Sequence, residues 1–144
     1  MLRILIPVDG STESMAAVRH VLTLVGTGLR ARCVLANVQA GATLYEVVVA
    51  RDPAVLDRVA EEAGRELIKP AQQLLTAAGV AVDVEVVHHG DIGPALLDLA
   101  DRHGVQAIVV GAGAAGLADR VLGSVSFDLV RDARVPVTVV RVAD

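Results

Sequence analysis

The sequence predicts an α/β domain whose parallel β-sheet is covered by helices on both faces. Short runs rich in Val, Ile, Leu and Ala alternate along the chain with segments whose apolar residues recur at helical spacing. Strands that are buried on both faces are apolar along their whole length, and parallel strands need crossovers long enough to contain a helix. The order β-α-β-α-β-α-β-α-β therefore favours a single doubly wound domain over residues 1–144.

The amino-terminal part of the chain is predicted to form a strand, a helix and a second strand. An apolar, β-branched run at residues 2–8 breaks at Asp9-Gly10, which is typical of a buried strand that ends in a turn. Capping residues at 11–14 then begin a helix that Gly26 ends. The second strand covers residues 32–38.

The middle of the chain contains the longest predicted helix. The connection over residues 39–53 has little periodicity and leaves open an extra strand or a helical turn at 45–49. A helix is predicted over residues 54–78, and Pro70 should kink or split it, because proline lacks an N–H and clashes with the preceding turn. Alternating valines predict the third strand over residues 80–88.

The carboxyl-terminal part repeats the alternation of helix and strand. Residues 92–103 form a predicted helix with Pro94 in its first turn, where proline is tolerated. The fourth strand is predicted over residues 106–110, the fourth helix over 123–134, and the fifth strand over 136–142.

Composition and charge exclude several classes of protein. The formal net charge of −4 argues against general affinity for nucleic acids or anionic membranes. No apolar run approaches the ~20 residues of a membrane span, and the amino terminus lacks a signal-peptide pattern. We therefore expect a cytoplasmic location. The single cysteine, Cys33, excludes an intrachain disulfide and is interpreted as a buried core residue.

The most informative segment is rich in glycine and follows the fourth predicted strand. Residues 107–110 run into Gly111, Gly113 and Gly116, and Gly123-Ser124 then begins a helix. Glycines let backbone N–H groups approach a ligand closely, and a helix N-terminus offers unpaired donors with partial positive charge. The segment therefore predicts a phosphate site built without lysine.

Two common phosphate-binding motifs do not explain this segment. Residues 111–116 match G-x-G-x-x-G, but a dinucleotide-binding loop should follow the first strand and be followed by a second nucleotide-binding half. The single lysine, Lys69, follows no glycine-rich loop, which excludes a Walker A motif. An NAD-dependent enzyme remains a minor alternative.

Five separated motifs resemble the universal stress protein family, in order and spacing, over the whole chain. They are IPVDGS at residues 6–11, HGD at 89–91, AIVVG at 107–111, GSVS at 123–126 and VPV at 135–137. The resemblance implies a flavodoxin-like, adenine nucleotide alpha hydrolase-like fold with strand order 3-2-1-4-5. It also implies a homodimer and, in one branch of the family, binding of ATP.

The chain departs from the ATP-binding motif of that branch. The family pattern is Gly-x-x-Gly, nine residues, then Gly-Ser/Thr, whereas here only Ala112 separates Gly111 from Gly113. With this shorter loop, phosphates would depend on backbone donors at Gly113 and at residues 123–125, on the Ser124 hydroxyl, and on a bound Mg²⁺.

The resemblance places nine residues at the nucleotide. Asp9 would meet the adenine or the ribose, flanked by Pro7 and Val8, and Val38 would pack near the base. Residues around the ribose and phosphates would be Gly111, Gly113, Gly123, Ser124 and Val125. Structural alternatives stay open for three of them: Asp9 as a turn residue that caps the first helix, Ser124 as a helix N-cap, and Val38 as plain strand core.

No catalytic or metal-binding constellation emerges from the sequence. His88-His89 are adjacent on a predicted strand, so their side chains point to opposite faces, and no third ligand is spaced nearby. No histidine or other base stands at a recognisable spacing from Ser11, Thr12 or Ser14. We therefore expect no dedicated enzyme, although the resemblance allows weak ATP hydrolysis or autophosphorylation.

The preferred function is a regulatory module of the stress response that binds ATP or a related adenine nucleotide. The alternative is a nucleotide-free stress-response dimer that acts by contacting regulatory protein partners. Dimerisation is expected through the last strand, whose valines at positions 137, 139, 140 and 142 make it apolar on both faces at the edge of the sheet.

Overall fold

The computed structural model describes residues 1–39, 52–88, 90–112 and 123–142. These residues form five strands: β1 (Leu2–Pro7), β2 (Ala31–Val38), β3 (Ala81–Val87), β4 (Ala107–Gly111) and β5 (Val137–Val140). They also form four helices: α1 (Thr12–Gly26), α2 (Pro53–Ala77), α3 (Ile92–Arg102) and α4 (Ser124–Asp132). Within these residues, no helix has both the length and the apolarity that crossing a bilayer requires.

The strands form one parallel sheet in the order β3-β2-β1-β4-β5, which confirms the predicted doubly wound fold and its strand order. β1 is central and pairs with β2 from Leu2↔Ala31 to Pro7↔Ala36. Each following strand is reached through a helix, as the apolar, unbroken composition of the strands predicts.

The core has two layers, one on each face of the sheet. On one face α1 and α2 pack on the sheet through a cluster that includes Val18, Val21, Ile68 and Leu75. On the other face α3 and α4 contribute Leu96, Leu99 and Leu129. β1 supplies both layers, because Ile4 and Ile6 point to the first face and Leu5 to the second.

Pro70 does not split the long helix, which excludes one of the two effects expected of this proline. α2 is continuous over Pro53–Ala77, and Pro70 lies on its exposed side. A proline inside a helix costs about 3 kcal/mol. Ile68 and Leu75 are fully buried on either side of it, and each such side chain contributes about 1.5–3 kcal/mol. Burial on the sheet therefore offsets the lost hydrogen bond and keeps the helix intact.

The ends of several elements differ slightly from the sequence prediction. β4 extends to Gly111, and β5 ends at Val140, so that Val142 lies beyond the last strand. The alternatives for residues 45–49 fall outside the described residues. These shifts leave the order of elements unchanged, because periodicity locates the middle of an element better than its ends.

Cys33 is fully buried in β2, as predicted. Burial in this apolar layer raises the pKa of its thiol to about 11. The thiol is therefore protonated at neutral pH and acts as a small apolar core residue.

Gly64 lets α2 approach the sheet closely, which yields a test of this packing. A Cβ atom at position 64 would lie 2.5 Å and 2.9 Å from the two γ-methyl carbons of Val86. We expect Gly64→Ala to lower the free energy of unfolding by about 1–3 kcal/mol, because overpacking outweighs the higher helix propensity of alanine. Denaturant titration measures this difference.

The matched control is Gly26→Ala at the exposed end of α1, where an added Cβ meets no atom within 4 Å. It should leave stability unchanged or raise it by up to about 1 kcal/mol. Equal stability changes in the two variants would contradict the close approach of α2 to β3.

Candidate functional site

A cavity of about 280 Å³ opens at the carboxyl edge of the sheet. β1 and β4 are adjacent strands, and the helices that follow them in the sequence, α1 and α4, pack on opposite faces of the sheet. The cavity lies between these two helices at the strand ends, which is where open α/β sheets bind ligands.

Eight of the nine predicted site residues line this single cavity. They come from the ends of three strands and the beginning of α4: Pro7, Val8, Asp9, Val38, Gly111, Gly123, Ser124 and Val125. The ninth, Gly113, lies outside the described residues, as do Gly116 and His89. The fold thus brings together residues that are more than a hundred positions apart in the sequence.

Asp9 shapes the turn between β1 and α1 but does not cap the helix. One of its carboxylate oxygens, Oδ1, accepts a hydrogen bond from the Ser11 amide at 2.9 Å. Ser11 is the N-cap, and its hydroxyl accepts from the Ser14 amide at 3.1 Å. Asp9 itself is exposed at the mouth of the cavity and keeps acceptor capacity for a ligand.

The pKa of Asp9 reflects two opposing influences. Partial burial by itself would raise the pKa, but hydrogen bonds from the side chain and amide of Ser11 and from the side chain of Ser14 outweigh it. The net effect lowers the pKa of Asp9 below its ordinary value. Asp9 is therefore an anion at neutral pH.

The first turn of α4 directs backbone donors at the cavity. Gly123 is the N-cap and Ser124 is the first helical residue, so the structural alternative for Ser124, a helix N-cap, is wrong. The first intrahelical amide belongs to Phe127, which donates to the Gly123 carbonyl at 2.9 Å. The amides of the preceding turn are those that a helix leaves unpaired, and Ser124 and Val125 both line the cavity.

Gly111 has a packing role that sequence reasoning did not recognise. A Cβ atom at this position would overlap the backbone carbonyl of Glu13 in the first turn of α1. Gly111 therefore allows α1 and the end of β4 to approach each other and sets one wall of the cavity.

Eight further residues line the cavity that the sequence prediction did not include. They are Ser11, Glu13, Ser14, Ile92, Leu96, Val110, Ser126 and Asn37. The Asn37 signal was present in the sequence, because a single amide interrupts the apolar run of residues 33–38. The other residues lacked a signal, because hydroxyls and aliphatic side chains at helix starts are common.

Asn37 is 3% exposed and makes two hydrogen bonds beneath the cavity. Its Nδ2 donates to the Val8 carbonyl at 2.8 Å, and its Oδ1 accepts from Gln39 Nε2 at 2.6 Å. The side chain thus links β2 to the turn that carries Asp9.

The backbone of β2 presents a peptide edge to the cavity at Val38. The Val8 amide donates to the Ala36 carbonyl at 2.8 Å, and the Gln39 amide donates to the Val87 carbonyl at 2.7 Å. Peptide groups alternate sides along a strand, so the N–H and C=O of Val38 face towards β1. β1 has already ended at Pro7, and Val38 lines the cavity there, half-buried.

The electrostatic character of the described walls is mildly acidic. Asp9 and Glu13 line the cavity, and the described lining residues include no lysine, arginine or histidine. No group of three or more metal-ligating side chains occurs in the described ranges. His88 instead lies 3.1 Å from a carboxylate oxygen of Glu61 on α2. Any anion held here would depend on backbone donors.

The chain belongs to the universal stress protein family. The family profile matches residues 1–141. No significant match to a curated protein sequence is found.

Solved structures share the fold over almost the whole chain. A protein of the universal stress protein family from Burkholderia pseudomallei is 28% identical, with a TM-score of 0.72, covering 96% of this chain and 94% of that one. The universal stress protein UspA from Lactobacillus plantarum is 25% identical, with a TM-score of 0.75 and 97% of each chain covered. A family protein from Arabidopsis thaliana, with AMP bound, is 19% identical, with a TM-score of 0.73, covering 99% of this chain and 93% of that one.

The lowered pKa of Asp9 predicts how stability depends on pH. Because the folded pKa is below the unfolded value of about 3.9, the Asp9 charge stabilises the fold at neutral pH, and this contribution is lost as the pH falls below about 4. Asp9→Asn, which keeps an acceptor for the Ser11 amide, should be less stable than the wild type at pH 7. The difference should shrink towards pH 2.5, as measured by denaturant titration at each pH. A difference that stays constant over this range would contradict the role of the charge.

Proposed function

We propose that this protein binds an adenine nucleotide in the cavity and acts as a regulatory module of the stress response in the cytoplasm. The observation that carries the proposal is the pairing of two backbone sites across one cavity. The first turn of α4 offers unpaired amides for phosphate, and Val38 offers an N–H and a C=O for a base.

The walls of the cavity fit the parts of a nucleotide. Val8, Val38 and Leu96 provide apolar surface for a base, and the Asp9 carboxylate can accept hydrogen bonds from ribose hydroxyls. The amides of Ser124 and Ser126 and the hydroxyl of Ser124 lie at the phosphate end of this arrangement, since the Ser126 hydroxyl donates to the Gly123 carbonyl at 3.0 Å. A nucleotide would thus be oriented with its base under β2 and its phosphate at α4.

Family relatives support the choice of ligand. Structures in this family are described with AMP, cAMP and dAMP bound. We propose ATP or a related adenine nucleotide for this chain, with Mg²⁺ screening the phosphates from the carboxylates of Asp9 and Glu13. Binding, rather than catalysis, is the proposed role.

Nucleotide binding is tested by thermal and calorimetric titration with AMP, ADP, ATP and cAMP, each with and without Mg²⁺. A ligand at 100 times its Kd adds about 2.7 kcal/mol of stability. Ser124→Ala should weaken binding about two- to tenfold, because it removes one hydroxyl from the phosphate end. Thr23→Ala on the outer side of α1 is the control and should leave the affinity unchanged.

The alternative function is a nucleotide-free dimer that contacts regulatory proteins. The absence of any stabilisation by the four nucleotides at millimolar concentration would overturn the nucleotide proposal and favour this alternative. Stabilisation by NAD but not by ATP would instead favour the minor alternative of an NAD-dependent enzyme.

We also propose that the protein forms a homodimer through β5, an edge strand. Ile108 donates to the Pro136 carbonyl at 2.9 Å, and Ala112 donates to the Val140 carbonyl at 2.8 Å. Since peptide groups alternate sides, those of Val137 and Val139 point away from β4. Their donors and acceptors are available for a second copy of the strand.

Val139→Pro should convert the dimer to a monomer, because proline removes one outward-facing N–H while the ladder to β4 keeps its bonds. Light scattering at about 10 μM measures the mass of each protein. Thr138→Ala, at the exposed position next to it, is the control and should stay dimeric. A monomeric wild-type protein at this concentration would contradict the proposal.

A further inference from the structure

The backbone ladder between β1 and β2 is interrupted at the base end of the cavity. In a regular parallel ladder, the bond from the Val8 amide to the Ala36 carbonyl would be followed by a bond from the Val38 amide to the Val8 carbonyl. Among the described residues that second bond is not formed. The Val8 carbonyl instead accepts a hydrogen bond from Asn37 Nδ2 at 2.8 Å.

We propose that Asn37 is a positioning residue that withdraws the Val8 carbonyl from Val38 and so keeps the Val38 peptide edge available to the nucleobase. This inference rests on the proposed function of the cavity. Asn37 does not touch the ligand itself; it acts through the backbone of Val8 and Val38.

The surroundings of Asn37 hold its amide in this orientation. Gln39 Nε2 donates to Asn37 Oδ1 at 2.6 Å, so the NH₂ group of the amide must point towards Val8. Gly64 of α2 leaves the space that this arrangement needs, because a Cβ there would lie 3.0 Å from Asn37 Oδ1. Rotation of the buried amide would leave both partners unsatisfied, which is costly at 3% exposure.

The turn after Val8 ends the backbone pairing between β1 and β2. Gly10 adopts a positive φ of 82° and takes the chain away from β2 towards α1. The Val38 carbonyl therefore lacks the next ladder donor, the Gly10 amide, among the described backbone hydrogen bonds. The result is one N–H donor beside one C=O acceptor at the cavity wall. That pair complements the ring nitrogen and exocyclic amine of the Watson–Crick edge of adenine.

The test compares two ligands that differ only in the ring nitrogen N1, the acceptor for the Val38 amide: AMP and 1-deazaadenosine 5′-monophosphate. The wild-type protein should bind AMP about fivefold more tightly, the usual effect of one hydrogen bond. In Asn37→Leu the Val38 amide can return to the Val8 carbonyl, and the preference for AMP should fall to about onefold. Calorimetric or fluorescence titration measures both affinities.

A second readout needs no ligand. In the wild-type protein the Val38 amide should exchange with solvent rapidly, because it lies outside the ladder. In Asn37→Leu its exchange, followed by NMR, should slow by about tenfold as it bonds to Val8. A residue that merely stabilised the fold would give the opposite result, because its loss speeds exchange.

Ile68→Val is the matched control, since it removes a methyl group from the fully buried side of α2 away from the cavity. It should leave both the AMP preference and the Val38 exchange unchanged. If Asn37→Leu does not fold, Asn37→Ser provides the same test, because its hydroxyl is too short to reach the Val8 carbonyl.

The outcomes separate this inference from the proposed function. Unchanged AMP preference and unchanged Val38 exchange in the Asn37 variants would overturn the role of Asn37 and leave nucleotide binding intact. A wild-type protein that binds neither nucleotide would overturn the proposed function, and slow exchange of its Val38 amide would overturn the inference independently.

Discussion

The burial of β1 between two helical layers is the constraint on which the rest of the structure depends. Ile4, Leu5 and Ile6 are at most 1% exposed, and each faces a different layer from its neighbour. A central strand of this kind must end where the chain can leave the sheet. Its end therefore fixes the position of the turn at Asp9 and, with the end of β4, the position of the cavity.

Glycine at two positions allows the helices to pack closely on the sheet near the cavity. Gly111 admits the first turn of α1 against the end of β4, and Gly64 admits α2 against β3 and Asn37. The first approach brings backbone groups together at the carboxyl edge of the sheet, and the second places the backbone of α2 against the side chains of Val86 and Asn37. Because the described walls carry carboxylates but no cation, backbone donors are the groups available there for an anion.

At the carboxyl edge of the sheet, the hydrogen-bond ladder between β1 and β2 is regular up to Ala36 and is then interrupted. Hydrogen bonds within the ladder hold β1 against β2 up to Ala36, and the Asn37 amide then replaces the next backbone partner. Replacing the backbone hydrogen bond by one from a side chain costs little free energy of folding, because the Val8 carbonyl still has a donor. It leaves the peptide group of Val38 facing the cavity, and this links the packing of the sheet to the proposed recognition of a base.

The sequence by itself determined the order of elements, the parallel sheet and most of the candidate site. Apolar strands and helical periodicity are local signals that predicted the fold, and the family resemblance carried by separated motifs placed the eight residues that line one cavity. Only the tertiary structure decided the continuity of α2 at Pro70, the packing role of Gly111 and the hydrogen-bond partners of Asn37. Each of these depends on contacts between residues far apart in the chain, which no local pattern records.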